Sequence, residues 1–214
     1  VALTDLVIKA LLETVLMVFG STAFGVLMGV PLGVVLYNAS KKGLQPRRVL
    51  YQPLSFLVNG ARSIPYIILT VLLIPFTRGL IGTSIGTGSA MIPLSIAAGL
   101  LVARCVEDAL QSVPKGLSEV GISLGASPLQ IIHKILLPES MSSIIAGITT
   151  VMINIVGYSA MAGTVGGGGL GDLAIRYGYQ RYDIVLVVLI VVILIALVQG
   201  IQMVGQWGSN YYRR

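Results

Sequence analysis

Charge is what this chain has least of. Only 10% of its 214 residues are charged, against 55% hydrophobic, where a soluble domain carries about 25% charged residues. That scarcity excludes a polar shell around one core and makes lipid the expected solvent. Cysteine occurs once, as Cys105, which excludes an intrachain disulfide and a CxxC metal site and leaves the thiol as buried filler. His133 is the only histidine. No second acid, base or metal ligand is spaced around it, so it reads as a solvated polar-face residue. No GxxxxGK[ST] is present, so no P-loop is expected. Gly157-Tyr158-Ser159-Ala160-Met161 lacks the closing glycine of GxSxG. Gly166, Gly168 and Gly171 do satisfy GxGxxG. The run follows an apolar span rather than a strand, so it reads as a flexible or close-packed turn. The chain begins at Val1 rather than Met, so its natural start is expected to be missing. No basic stretch, short apolar run and cleavage site of a signal peptide opens it.

What the chain does have is long apolar runs, and a membrane-spanning helix takes about 20 such residues. Five spans are expected: Glu13 to Tyr37, Leu54 to Phe76, Ala90 to Val106, Met141 to Met161 and Ile184 to Val204. Together they predict an all-α integral membrane protein with a single domain over 1–214. The last span is bracketed by Tyr177, Tyr179 and Tyr182 before it and Trp207, Tyr211 and Tyr212 after it, the aromatic belt of a membrane helix. Five spans put the termini on opposite sides. With the N-terminus outside, Lys41, Lys42, Arg47, Arg48, Arg104, Lys115, Lys134, Arg213 and Arg214 lie inside. Lys9, Arg78, Arg176 and Arg181 then lie outside. Positive charge therefore favours N-out, C-in, and the net charge of +6 reflects topology rather than nucleic-acid binding. Gly25, Gly29 and Gly33 recur every four residues, a smooth strip for close helix packing. Pro31, Pro65, Pro75 and Pro93 lie in or near spans, where they can kink helices.

Between the third and fourth spans, residues 114–138 predict two short amphipathic helices on the cytoplasmic side. Leu117, Val120 and Leu124 share one face, and Gly125 permits a left-handed turn. Ser127 and Pro128 form an N-cap and first helical position; Leu129, Ile132 and Leu136 share a second face, and Pro138 is expected to end the second helix. Such helices either dock into a partner's groove or lie on lipid headgroups.

Glu119, Gly125, Ile135, Leu137 and Pro138 stand at the spacing of the EAA loop, which is Glu-Ala-Ala, three residues, Gly, nine residues, Ile, one residue, Leu-Pro. Val120 and Gly121 replace the two alanines. In this the chain resembles ABC importer permeases, whose loop is a coupling helix seated in a cleft of the ATPase subunit. Arg62-Ser63-Ile64-Pro65, Ile74-Pro75-Phe76-Thr77-Arg78, Gly82-Thr83-Ser84-Ile85-Gly86, Gly157 to Met161, and Gly168-Gly169-Leu170-Gly171 with Tyr177-Gly178-Tyr179 resemble the methionine-importer permeases in particular. The resemblance implies a type I ABC importer fold, a second copy of this permease, two copies of a separate ATPase and an external substrate-binding protein, in a bacterial inner membrane. It implies no cofactor in this chain, ATP and Mg on the partner ATPase, and ATPase-coupling roles for Glu119, Gly125, Ser127, Leu129, Ile132, Ile135 and Pro138. The substrate is then methionine, D or L, or a related small amino acid.

Four further residues are candidates for the pathway or gate. Arg62, within or near span two, either meets a substrate carboxylate in the pathway or snorkels as a structural cation. Tyr158, Ser159 and Met161, just before the glycine run, form either an external gate or a packed dimer seam. Asn154 reads as a hydrogen-bonding contact to a neighbouring helix. The rival readings are a secondary transporter, which needs carboxylates in its spans, and a membrane scaffold or channel component, which needs no docking loop.

Overall fold

The computed structural model describes Leu3 to Arg213; Val1 and Arg214, used above, lie outside the described residues. It is helical throughout. Helix α1, Leu3–Ala39, begins ten residues before the expected Glu13. Lys9 and Asp5 interrupt the apolar run in sequence, but they sit on an exposed side. Leu6, Val7, Ala10 and Leu11 pack the other side against Leu170, Leu173, Leu186 and Ile190.

The expected glycine strip meets α5, Thr87–Gln111. A Cβ on Gly25 would lie 2.5 Å from the Ala98 Cβ, and one on Gly33 would lie 2.5 Å from the Ala103 carbonyl oxygen. The contacts advance along both helices together, so α1 and α5 run parallel at a separation only glycine allows. Cys105 packs against Gly147, filling space between α5 and α8.

The second expected span is not one helix. It divides into α2 (Arg48–Ser63), α3 (Tyr66–Leu72) and α4 (Ile74–Ile81). Pro65 causes the first break: it drives Ile64 into an extended conformation, φ −82° and ψ 127°. Pro75 stands in the first turn of α4, where its missing N–H costs nothing. The relay still carries the chain across. It leaves α1 where Arg47 N–H donates to the Ala39 carbonyl at 3.0 Å, and it ends where Gly86 N–H donates to the Gly166 carbonyl at 2.9 Å. Four long apolar helices and this relay therefore make five passages between two ends of the bundle.

At the 114–138 end, α6 (Lys115–Ser123) and α7 (Pro128–Ile131) precede a π-helical turn, Ile132–Leu136, and α8, Leu137–Thr164. Pro138 does not end the second short helix as expected. The wide turn pairs Leu137 N–H with the Ile132 carbonyl, and the proline ring follows it without breaking the axis. The second short helix of the 114–138 segment is thus continuous with α8. At the opposite end the glycine run closes on α1: Gly169 N–H donates to the Glu13 carboxylate and Leu170 N–H to the Thr14 hydroxyl, both at 2.8 Å. Gly168 and Gly169 hold φ of 79° and 78°, so this is a close-packed turn leading into α9, Gly169–Leu173, with no strand before it. Helix α10, Ile184–Tyr211, returns antiparallel to α8, joined by Ser142 Oγ donating to the Ser209 carbonyl at 2.9 Å.

One buried charge ties α2 to α5. Glu107 is fully buried, and its oxygens accept from Arg104 Nη1 at 2.8 Å, Gln111 Nε2 at 3.0 Å and Tyr51 Oη at 3.1 Å. A buried carboxylate persists only when so satisfied. Tyr51→Phe removes the cross-helix donor and is expected to cost about 2 kcal/mol, the worth of a hydrogen bond to a charged group. The midpoint of thermal unfolding in detergent measures it; an unchanged midpoint removes Tyr51 from the clamp.

Candidate functional site

The 114–138 segment folds as an elbow. Helix α6 ends at Leu124, Gly125 turns left-handed at φ 75°, and Ala126 N–H closes the turn on the Gly121 carbonyl at 3.1 Å. Ser127 and Gln130 form a reciprocal capping box: Ser127 N–H donates to Gln130 Oε1 at 2.8 Å and Gln130 N–H to Ser127 Oγ at 3.4 Å. Gly121 is buried where α6 crosses the next helix, since a Cβ there would stand 3.0 Å from Ile135 Cδ1 and 3.1 Å from Ile131 Cγ1. Ile135 therefore acts as a prop beneath α6.

The elbow's two sides differ. Val120, Leu124 and Leu129 are exposed at 59%, 82% and 67%, whereas Ile131, Ile132 and Leu136 are buried in the chain's own core. Ile132 and Leu129, expected on one face, thus point to different places. Leu129 stands on the outer side of α7, whereas Ile132 and Leu136, four residues apart, share the inward side. Glu119 is exposed and lines an open basin with Lys41, Lys42 and Lys115. Pro138 and His133 are exposed as well.

The gate candidates separate likewise. Tyr158 stacks on Tyr66, ring centroids 4.8 Å apart and planes 3° apart, and Met161 is exposed. Ser159 is buried and donates to the Val156 carbonyl at 2.8 Å, within its own helix. Arg62 lies in the last turn of α2, exposed, and lines a small cavity with Tyr66 and Tyr158. Asn154 is exposed rather than packed against a neighbouring helix of the chain. Tyr66 and Glu107 went unremarked in the sequence. Tyr66 follows the break at Pro65, which was the available signal; Glu107 adjoins the apolar run ending at Val106, and its partner Tyr51 is far off in sequence.

Four helices long and apolar enough to cross a membrane, the α2–α4 relay, small-residue seams and a protruding apolar elbow define an all-α polytopic membrane protein. Residues 25–204 match the family described as binding-protein-dependent transport system inner membrane component, and the chain belongs to that family. It is 50% identical over 202 residues to a probable D-methionine transport system permease protein of Vibrio cholerae, covering 94% of this chain and 90% of the relative. The Escherichia coli K12 D-methionine transport system permease protein is 44% identical over 158 residues, covering 74% and 73%. Among solved structures, a chain of the inward-facing MetNI methionine ABC transporter superposes with a TM-score of 0.95 at 42% identity, covering 98% of this chain and 97% of that one. A chain from an amino acid ABC transporter with histidines shares the fold, with a TM-score of 0.80 at 20% identity. The fold is that of a type I ABC importer permease.

Proposed function

We propose that this chain is the permease subunit of an ATP-driven importer that moves methionine, D or L, or a closely related small amino acid, into the cell. The exposed Val120–Leu124–Leu129 surface of the elbow carries the reading: an apolar knob at a polar end needs a partner's groove. Two copies of this chain span the bacterial inner membrane with N-termini outside, and two copies of a separate ATPase bind ATP and Mg. An external binding protein delivers the substrate. Among the described residues, eight of the cations assigned inside against four assigned outside support that orientation. Methionine is supported by what the relatives are named for.

Mechanically, ATP favours one state of the pore through its differential affinity for the two. Movement of the ATPase cleft acts on Leu124 and Leu129. Since α7, the π turn and α8 are continuous, that movement reaches Tyr158 and Met161 along one helix. Within the elbow, Ser127, Gly125 and Ile135 hold its shape, Leu129 and Glu119 meet the partner, Ile132 anchors it, and Pro138 lets it join α8. Tyr158 and Met161 form the gate, with Ser159 supporting them from behind.

A self-sufficient ion-coupled carrier needs a free carboxylate in its spans; Glu13 accepts from Gly169 N–H near one end of α1, and the oxygens of Glu107 are occupied. Co-expression with the neighbouring ATPase, followed by mass measurement of the detergent-solubilised complex, is expected to give two copies of each chain. A permease that purifies without ATPase rejects the importer reading.

A further inference from the structure

Between α1 and α2 the chain folds back on the end of α1. Ser40 Oγ donates to the Tyr37 carbonyl at 2.8 Å, Gln45 N–H to the Asn38 carbonyl at 3.2 Å, and Arg47 N–H to the Ala39 carbonyl at 3.0 Å. Gly43 lies against the Tyr37 and Asn38 carbonyls, where a Cβ has no room. The loop is therefore held in one shape, and residues 41–48 carry Lys41, Lys42, Arg47 and Arg48 on it, all exposed.

Lys41, Lys42 and Arg48 line one open basin of about 600 Å³ with Tyr51, Gln52 and Gln111. Among the described residues no carboxylate lines it. Tyr51 and Gln111 are donors to Glu107, whose charge already meets Arg104 at 2.8 Å. None of the three cations forms an ion pair among the described residues. The first turn of α2 adds to the same sign, because it has no acidic residue and no side-chain cap on its N–H groups. Just past the basin α2 becomes apolar on its outer side: Val49 and Phe56, about two turns apart, are 90% and 80% exposed.

We propose that this basin is a binding site for an anionic phospholipid, with the phosphodiester among Lys41, Lys42 and Arg48 and the acyl chains along Val49 and Phe56. A basic pocket between membrane helices, at the surface where they leave hydrocarbon, suits an acidic headgroup. Lysine offers a rotatable point charge and arginine a planar fork, and both pair with phosphate oxygens. The apolar side chains next to the cations give a lipid a contact that a soluble phosphate cannot use. No residue of the 114–138 elbow lines the basin, so it stands apart from the surface assigned to the ATPase. A lipid seated there joins the α1–α2 loop to the last turn of α5, where Gln111 stands. The proposal needs only a chain that spans a membrane and does not rest on the importer reading.

The experiment titrates the purified permease–ATPase complex in detergent with fluorescent phosphatidylglycerol, and with fluorescent phosphatidylcholine as the neutral lipid. Phosphatidylglycerol is expected to bind at least about tenfold more tightly, and Lys42→Gln/Arg48→Gln to remove most of that preference. Lys41→Gln/Lys42→Gln, which leaves α2 unchanged, is expected to lower it likewise. Lys134→Gln/Arg213→Gln takes the same charge from exposed positions elsewhere and is expected to keep it. Equal losses in all three variants mean diffuse attraction to positive charge and overturn the site; so does a wild type with no preference. Displacement of the lipid by equimolar glycerol phosphate assigns the basin to a soluble anion and overturns the lipid. Loss of the ATPase from both basin variants assigns the cations to the subunit interface and overturns it as well. A wild-type chain that purifies without ATPase rejects the importer reading alone, and the same titration is then read on the permease.

Discussion

Replacing Leu124 and Leu129 with glutamate is expected to strip the ATPase from this chain and abolish ATP-driven uptake while the bundle stays folded. Both side chains project from the elbow, 82% and 67% exposed, outside the chain's own core. Surface changes of this kind cost about 0.5 kcal/mol or less in stability. In a partner's apolar groove the same carboxylates would be buried without partners, at several kcal/mol. A loss of about 5 kcal/mol weakens association by between three and four powers of ten. Size-exclusion profile and subunit mass read both quantities together. The contrast is Ile132→Glu, which puts the charge in the core and is expected to unfold the chain. A Leu124→Glu/Leu129→Glu variant that retains its ATPase would remove the elbow from the interface.

The second large effect lies in the α1–α5 seam. A Cβ on Gly29 would stand 2.5 Å from the Gly99 carbonyl oxygen and 2.7 Å from the Val102 Cβ. Backbone cannot yield there unless the two helices part along their length. Gly29→Val is therefore expected to destabilise the subunit by about 3 kcal/mol or more, at the upper end of overpacking costs. Gly200→Ala on α10, where nothing lies within 4 Å, is expected to be neutral or to stabilise by up to about 1 kcal/mol, the helix-propensity gain. Thermal unfolding in detergent compares them; similar midpoints would mean that the seam is not close-packed.

The elbow was the most legible feature of the sequence because its signals are local. Ser127 and Pro128 act within one turn and Gly125 supplies its own left-handed conformation, and both appear in the structure, where Gln130 adds a reciprocal cap that the sequence reading did not include. The glycine strip on α1 was readable for the same reason. The less legible features depend on packing. Pro65 marks a break or a kink equally well in sequence; in the structure it is a break, with Ile64 extended before it. The π turn before Pro138 has no residue signature, yet it lets the proline continue a helix. Glu107 looked like a charge at the edge of an apolar run; its role is set by Tyr51 from another helix.

ATP-driven uptake is the most direct measurement: the chain is purified with its neighbouring ATPase and binding protein, reconstituted into liposomes, and supplied with labelled L-methionine. Accumulation of label that needs ATP and all three proteins, and that stops when the ATPase is inactivated, is the expected result. Uptake that continues without ATP or without the ATPase would contradict the account, since the chain would then drive transport by itself.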